Sequence, residues 1–289
     1  MIILVLHCMK GLLFNMFGRY YSTVAINFRQ FTTYCYSILH PYHYDAGRYQ
    51  GTFLAESEKL ENNVYGTKVD RIIYVFWTGD NDITPNRIRG IKSLEEISGV
   101  KVQLVTPENL SEYIVSNDPL PEAYNYLSYV HRADYLRTYF MYHHGGGYAD
   151  IKQTSASWVD AFERFEHSDA YALGYPEIGF MGVANGGIEN QTLKIDLRNH
   201  WRYLIGNCAY ICRPKTPFTS EWYKETKRRV ISFTPSLKLH PATDPFGKEN
   251  GYPVPWEKIL GEVFHPLCLK YHERLLKDKA LTPIFENYR

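Results

Sequence analysis

Hydrophobic and polar positions change their period several times between residues 70 and 270, and each change predicts an element. Arg71–Gly79, RIIYVFWTG, is a continuous apolar run ending in Trp, Thr and Gly, which reads as a strand over Ile72–Trp77. A turn, GDNDITPN, leads into a helical pattern from Asn86 to Ile97, Val100–Val105 alternates as a second strand, and Pro107–Ile114 opens as a short helix. In HRADYLRTYFMYHH, residues three apart share one helix face, so Asp134 and Arg137 point together while Leu136 and Phe140 cover the core. Gly145, Gly146 and Gly147 then stop the helix, because glycine tolerates the left-handed backbone that a helix end needs. The chain turns sharply into the β-like segment Tyr148–Lys152, with Asp150 at a strand tip. Residues 174–190, rich in Gly, and the Pro/Gly-rich stretch 241–256 read as loops.

Strands alternating with helices predict an α/β fold, a mainly parallel sheet with helices on its faces. The expected organisation is one domain over residues 66–289 with an extension, 1–65, packed on it. In such sheets the ligand sits beyond the carboxyl ends of the strands, where Trp77 and Asp150 both fall.

Composition adds little. The 289 residues suffice for a full core, and a net charge of +1 carries no nucleic-acid footprint. The 25 tyrosines offer stacking faces for sugars, but such side chains mostly fill cores. Cys8, Cys35, Cys208, Cys212 and Cys268 are few and widely spaced, which fits thiols in a reducing compartment and a cytoplasmic location. The opening MIILVLHCMKGLLFNMF is interrupted by His7 and Lys10. It falls short of the roughly 20 apolar residues of a membrane span and is expected to form a helix or strand against the domain. The sequons at Asn109 and Asn190 matter only in a secretory lumen.

The central pattern resembles the sugar transferases with a DxD motif, the group of capsular polysaccharide synthesis proteins, fungal Golgi mannosyltransferases and glucosylating toxins. Their signature is S/A-D-x-x-R, an apolar helix, then G-G-x-Y-x-D-x-D. Ala133, Asp134, Arg137, Gly146, Tyr148 and Asp150 fall into register, with Asp134 and Asp150 sixteen residues apart. The second Asp is replaced by Lys152. The RIIYVFWTG strand is similar to the family's opening segment, and Tyr203–Phe218 to a later one in which an Asn, here Asn207, precedes an apolar strand and a Pro-containing turn.

This resemblance implies a GT-A-like, Rossmann-type mixed sheet and a glycosyltransferase acting as a hexosyl- or pentosyltransferase. The donor would be a nucleotide-diphosphate sugar, such as a UDP-hexose or UDP-xylose, and the acceptor a glycan or polysaccharide. It implies that Trp77 stacks on the base beside Thr78 and Gly79, and that Asp134 and Arg137 take the sugar hydroxyls. Asp150 falls to the ribose and diphosphate, with Gly146 and Tyr148 alongside, and Asn207 to the sugar or acceptor. Lys152 leaves two arrangements open. Either it points inward and supplies the charge of the missing cation, alone or with Lys248, or it turns away and Asp150 holds Mn2+ or Mg2+ with a C-terminal residue such as His265.

Simpler roles exist for several of these residues. Asp134 with Arg137 makes an ordinary i, i+3 ion pair, and Trp77 can be a core residue. His143 and His144 read as a solvated or capping pair at a helix end, and Lys227, Arg228 and Arg229 as a solvated helix face. Phosphate-loop, dinucleotide, nucleophile-elbow and zincin motifs are missing from the sequence. Two other classes remain: a glycoside hydrolase with a carboxylate pair, and a non-catalytic carbohydrate-binding scaffold. Nucleotide-sugar turnover, glycan hydrolysis, or binding without either separates the three.

Overall fold

The computed structural model describes residues 23–56 and 69–288. The expectation for the first 17 residues lies outside these. A six-stranded sheet runs through the molecule in the order β2 (Lys101–Val105), β1 (Ile72–Phe76), β3 (Gly146–Ala149), β5 (Ile205–Cys212), β4 (Ala172–Pro176), β6 (Leu275–Lys277). β1 pairs in parallel with β2 and β3, β4 in parallel with β6, and β5 runs antiparallel between β3 and β4. Five strands therefore point one way and β5 alone is reversed. This mixed, mostly parallel sheet flanked by helices is the predicted class, and it is consistent with a GT-A-like fold.

Strand alternation divides the core into two layers. Ile73 and Val75 of β1 enter one layer with Trp158, Phe162 and Phe165, whereas Tyr74 and Phe76 enter the other with Phe140 and Tyr148. Helix α2 (Pro85–Ile97) starts where the Thr84 side chain accepts from Arg87 N with Pro at the first position. Helix α3 (Tyr129–His143) starts where the Ser128 hydroxyl accepts from His131 N. It packs on α6 (Pro217–Ser232), and α6 on α8 (Gly261–Lys270).

Some expectations are corrected. Pro107–Ile114 yields a single 3₁₀ turn, Leu110–Tyr113, because Asn109 closes a local loop in which its side chain accepts from Thr106 N and donates to Leu104 O. The Gly run only partly serves as a helix stop. Gly145 and Gly146 take the left-handed backbone, with φ of 67° and 86°, but Gly146 already opens β3. Gly147 sits in tight packing, where a Cβ would lie 3.2 Å from Ile73 Cγ1 and 3.3 Å from Phe162 Cζ. β3 ends at Ala149, so Asp150 and Lys152 occupy the bend just past its carboxyl end.

Residues 23–56 lie along the β4 and α5 (Gln191–Asn199) side of the molecule. Helix α1 (23–39) reaches the loop after β4 through Gln30, and Tyr49 donates to Asp196 Oδ2 at 2.8 Å.

Candidate active site

Three elements converge at the edge formed by the carboxyl ends of β1 and β3 and the start of β5. Asp134 and Arg137 lie on one face of α3 and are both buried. Arg137 is the hub of the cluster. Its Nη2 is 3.0 Å from Asp134 Oδ1 and 3.5 Å from Asp150 Oδ1, its Nη1 donates to the Asn207 carbonyl at 2.9 Å, and its guanidinium stands 4.6 Å over the Tyr148 ring. β3 and β5 hold Asp150 in place, for its N–H donates to Cys208 O at 2.7 Å, continuing the ladder one residue beyond the strand.

Lys152 points inward. After Ala149 the backbone bends, so that Lys152 curls back until Nζ donates to Asp150 Oδ2 at 2.5 Å and approaches Cys208 Sγ at 3.3 Å. The Phe285 and Tyr288 rings cover it at 5.2 and 4.9 Å, leaving the residue 6% exposed. α2 closes in from above, with Arg87 Nη1 donating to Ile151 O at 2.6 Å. The other oxygen of Asp150 accepts from the Tyr148 hydroxyl at 2.6 Å.

The two carboxylates are pushed apart electrostatically. Burial raises Asp134 to about 6, against the opposing pull of Arg137. Burial also acts to raise Asp150, but Lys152 and Arg137 outweigh it and hold that carboxyl well below the usual range. Lys152 shows the converse: burial disfavours its charge, yet the Asp150 carboxylate keeps it raised. Burial lifts the Cys208 thiol to about 11, so it is a neutral neighbour of the ammonium.

The remaining predicted residues fall around this cluster or away from it. Trp77 follows β1 directly and is half-buried, its indole N–H donating to Asn81 O at 2.7 Å. Thr78 and Gly79 seat the end of β1 on α3. The Thr78 hydroxyl donates to Tyr129 O at 2.6 Å, and a Cβ at Gly79 would lie 2.5 Å from the Tyr129 ring. Asn207 sits inside β5 rather than ahead of it, and it contributes its carbonyl to the cluster. Lys248 stands beside Phe246 and Trp256 in its loop.

His265 does not reach Asp150. It is fully buried in α8, with Nδ1 accepting from Ala184 N at 2.9 Å and Nε2 facing Glu177 Oε2 at 3.7 Å, and burial lowers it to about 4. Two other readings are corrected in part. His144 takes the capping position at the end of α3, one of the two roles expected for the pair; it is the solvated alternative that fails, because His143 bonds Asp118 and His144 bonds Tyr113 O in the 113–118 loop. Lys227 pairs with Asp118, and Arg229 with Glu225 and Glu262, so these two belong to an ion-pair network, whereas Arg228 pairs with Glu225 but stays exposed as expected.

Sequence reasoning missed Cys208, Phe285 and Tyr288 as parts of the Lys152 environment. A spacing signal could not reveal them, because they reach Lys152 through the β3–β5 register and the C-terminal tail, where Ile284 N donates to Gln153 O.

The family comparison bears on this same stretch. Residues 60–162 match the model described as the glycosyltransferase sugar-binding region containing DXD motif. The match spans β1 through β3 and includes Trp77, Asp134, Arg137, Asp150 and Lys152, so the region points to sugar transfer. Searches of curated proteins and of solved structures returned no match.

A DxD motif ordinarily implies a divalent cation, and the donor set here does not suit one. Both Asp150 oxygens are engaged by cations or a hydroxyl, and the position of the second carboxylate carries an ammonium. Among the described residues no group of three His, Cys, Asp or Glu side chains is placed to hold a metal.

Proposed function

We propose that the protein is a glycosyltransferase that moves a hexose or pentose from a nucleoside-diphosphate sugar, a UDP-sugar by our reading, to a glycan acceptor. The observation that carries this is the cluster of buried Asp134, Arg137 and Lys152 with half-buried Asp150 at the carboxyl edge of the parallel strands, inside the stretch matched by a sugar-transfer family model. Four described cysteines are free thiols, which suits a reducing, cytoplasmic setting.

In this reading the Trp77 ring stacks on the base, Asp134 accepts from donor-sugar hydroxyls, and Arg137 orients both carboxylates. Transfer breaks the bond between the anomeric carbon and the diphosphate oxygen as an acceptor hydroxyl oxygen bonds that carbon; the nucleoside diphosphate leaves with the electron pair and its freed oxygen takes up the acceptor's hydroxyl proton. Lys152 supports that departure. An ammonium has three donors, of which Asp150 and Cys208 occupy two; the third lies under the Phe285 and Tyr288 rings, which must shift aside for a phosphate oxygen to reach it. At about 4 Å and an effective dielectric near 20, one unit charge on another is worth roughly 4 kcal/mol, enough for Lys152 to act in place of a cation.

The test is a panel of nucleotide sugars, scored for binding and for release of nucleoside diphosphate with and without EDTA. One UDP-sugar should bind and turn over in EDTA. Lys152→Ala should lower its kcat/KM about a hundredfold, and Lys152→Asp, which rebuilds the acidic pair, should make turnover depend on added Mn2+. Failure of every nucleotide sugar to bind or react would overturn the transferase reading. Abolition by EDTA with rescue by Mn2+ in the native protein would overturn the role given to Lys152.

A further inference from the structure

Helix α1 is amphipathic with its faces inverted. The side against the body is polar: Gln30 donates to Ile178 O at 2.9 Å, the Thr33 hydroxyl accepts from the Trp201 indole at 3.1 Å, and the Ser37 hydroxyl accepts from Arg202. The apolar residues Val24, Phe28, Phe31 and Ile38 recur at three- and four-residue steps through Cys35 and follow the opposite side, outward. Phe28 is 68% exposed, Phe31 64% and Leu39 75%. A helix that buries its hydroxyls and presents two phenylalanines to solvent is poorly suited to water alone.

The apolar surface continues beyond the helix. Ile178 and Met181, in the loop that Gln30 holds, are 62% and 68% exposed. Contiguous exposed apolar patches beyond a few hundred Å² mark interaction surfaces on soluble proteins. Its rim is basic. The Arg29 and Arg198 guanidiniums stand 5.4 and 5.7 Å from the Phe180 ring, Arg202 lies over Tyr34 at 4.0 Å, and among the described residues none of the three has a carboxylate within ion-pair distance. Burial lowers the proton affinity of Arg198 and the nearby Arg29 lowers it further, so an anion between the two arginines would relieve their repulsion.

We propose that this face rests on an anionic lipid surface, with Phe28, Phe31 and Leu39 entering the acyl boundary and Arg29, Arg198 and Arg202 meeting headgroup phosphates. Apolar residues flanked by arginines are what an interfacial helix requires, and interfacial aromatics suit that depth. The helix lies on the membrane without crossing it, for among the described residues no helix is long and apolar enough to span a bilayer. Charge complementarity favours lipid over a second copy of the chain, because apposing two such faces would bring six arginines together.

The full-length protein is floated with vesicles of phosphatidylcholine alone and of phosphatidylcholine mixed with phosphatidylglycerol. It should rise with the mixed vesicles and less with the neutral ones, and should be released as salt increases. Phe28→Asp combined with Phe31→Asp should abolish flotation while the melting temperature holds, since both side chains are exposed. Arg29→Glu with Arg198→Glu should weaken it by about fivefold or more per arginine. The proposal is overturned if the native protein floats with neither vesicle, if the Phe28→Asp, Phe31→Asp protein still floats, or if sedimentation shows a dimer that this double variant dissolves without any vesicle binding.

Discussion

Two clusters in this molecule are built from nearly the same parts, and they differ in what they leave unfinished. Asp118 accepts from Tyr223 at 2.8 Å and from His143 at 3.0 Å, and it pairs with Lys227. Asp150 accepts from Tyr148 at 2.6 Å and Lys152 at 2.5 Å, and it faces Arg137 at 3.5 Å. Their side chains are almost equally exposed, 20% and 21%, so surface exposure does not separate them, although Asp150 has more protein packed around it. Composition and position do. The Asp118 set has one carboxylate, and it ties the 113–118 loop to α6 and to the end of α3 that leads into the amino end of β3. The Asp150 set lies past the carboxyl end of β3 and includes a second acid, Asp134, that competes for the same guanidinium. A lone, saturated carboxylate makes a clamp. Two carboxylates of divergent proton affinity around a shared Arg, at the edge where such sheets bind ligands, make a site.

The largest expected effect comes from removing the shared guanidinium. Arg137→Ala strands the buried Asp134 and leaves half-buried Asp150 with Lys152 alone, and loss of one partner from a buried pair typically costs about 3–5 kcal/mol. Urea denaturation should show a loss of that order together with loss of donor binding. An Arg137→Ala protein as stable as the native chain would mean that the two carboxylates are better solvated than their burial implies.

Next comes the direct contrast. Asp150→Asn should lower kcat/KM by about two orders of magnitude, the scale of one charge-assisted contact at a reacting centre, with a smaller change in melting temperature. Asp118→Asn should do the reverse, costing about 1–3 kcal/mol of stability through the unpaired Lys227 and Tyr223 while leaving kcat/KM close to native. Equal catalytic losses in the two variants would erase the distinction between clamp and site.

The contrast also shows what a sequence makes legible. The face shared by Asp134 and Arg137, the strand into Trp77 and the placement of Asp150 past a strand all rest on local periodicity, and all three are present in the fold. The direction of Lys152 rests on a backbone bend after Ala149, so a two-residue spacing left both orientations open. Lys227 and Arg229 read as solvated because Asp118 and Glu262 are distant in sequence and arrive only through packing of the loop and of α8 on α6. His265 carries the right chemistry for a metal ligand but lies on α8, turned toward Ala184 and Glu177. Local pattern fixes which residues share an element. Long-range register decides which charges meet.

The smallest effect, read per pH unit, tests the electrostatics alone, and the two clusters should move in opposite directions. Asp134 is raised in the fold to about 6, so between its ordinary range near 4 and that value the native state binds a proton that the unfolded chain does not. Stability contributed at this position is therefore highest near pH 4, falls as pH rises through 6, and is constant above. Asp118 is lowered, because Lys227, Tyr223 and His143 outweigh its burial, so its contribution is present above about pH 4 and is lost as pH falls below. The advantage of Asp134→Asn over the native chain should accordingly grow, by about 1.4 kcal/mol for each pH unit by which the carboxyl is raised, between about pH 4 and pH 6 and then level off. The deficit of Asp118→Asn should stay flat over that interval and shrink only on further acidification. Parallel pH profiles for the two variants would show that Asp134 is ionised in the fold as readily as Asp118, and that the divergence of proton affinities within the Asp150 cluster does not exist.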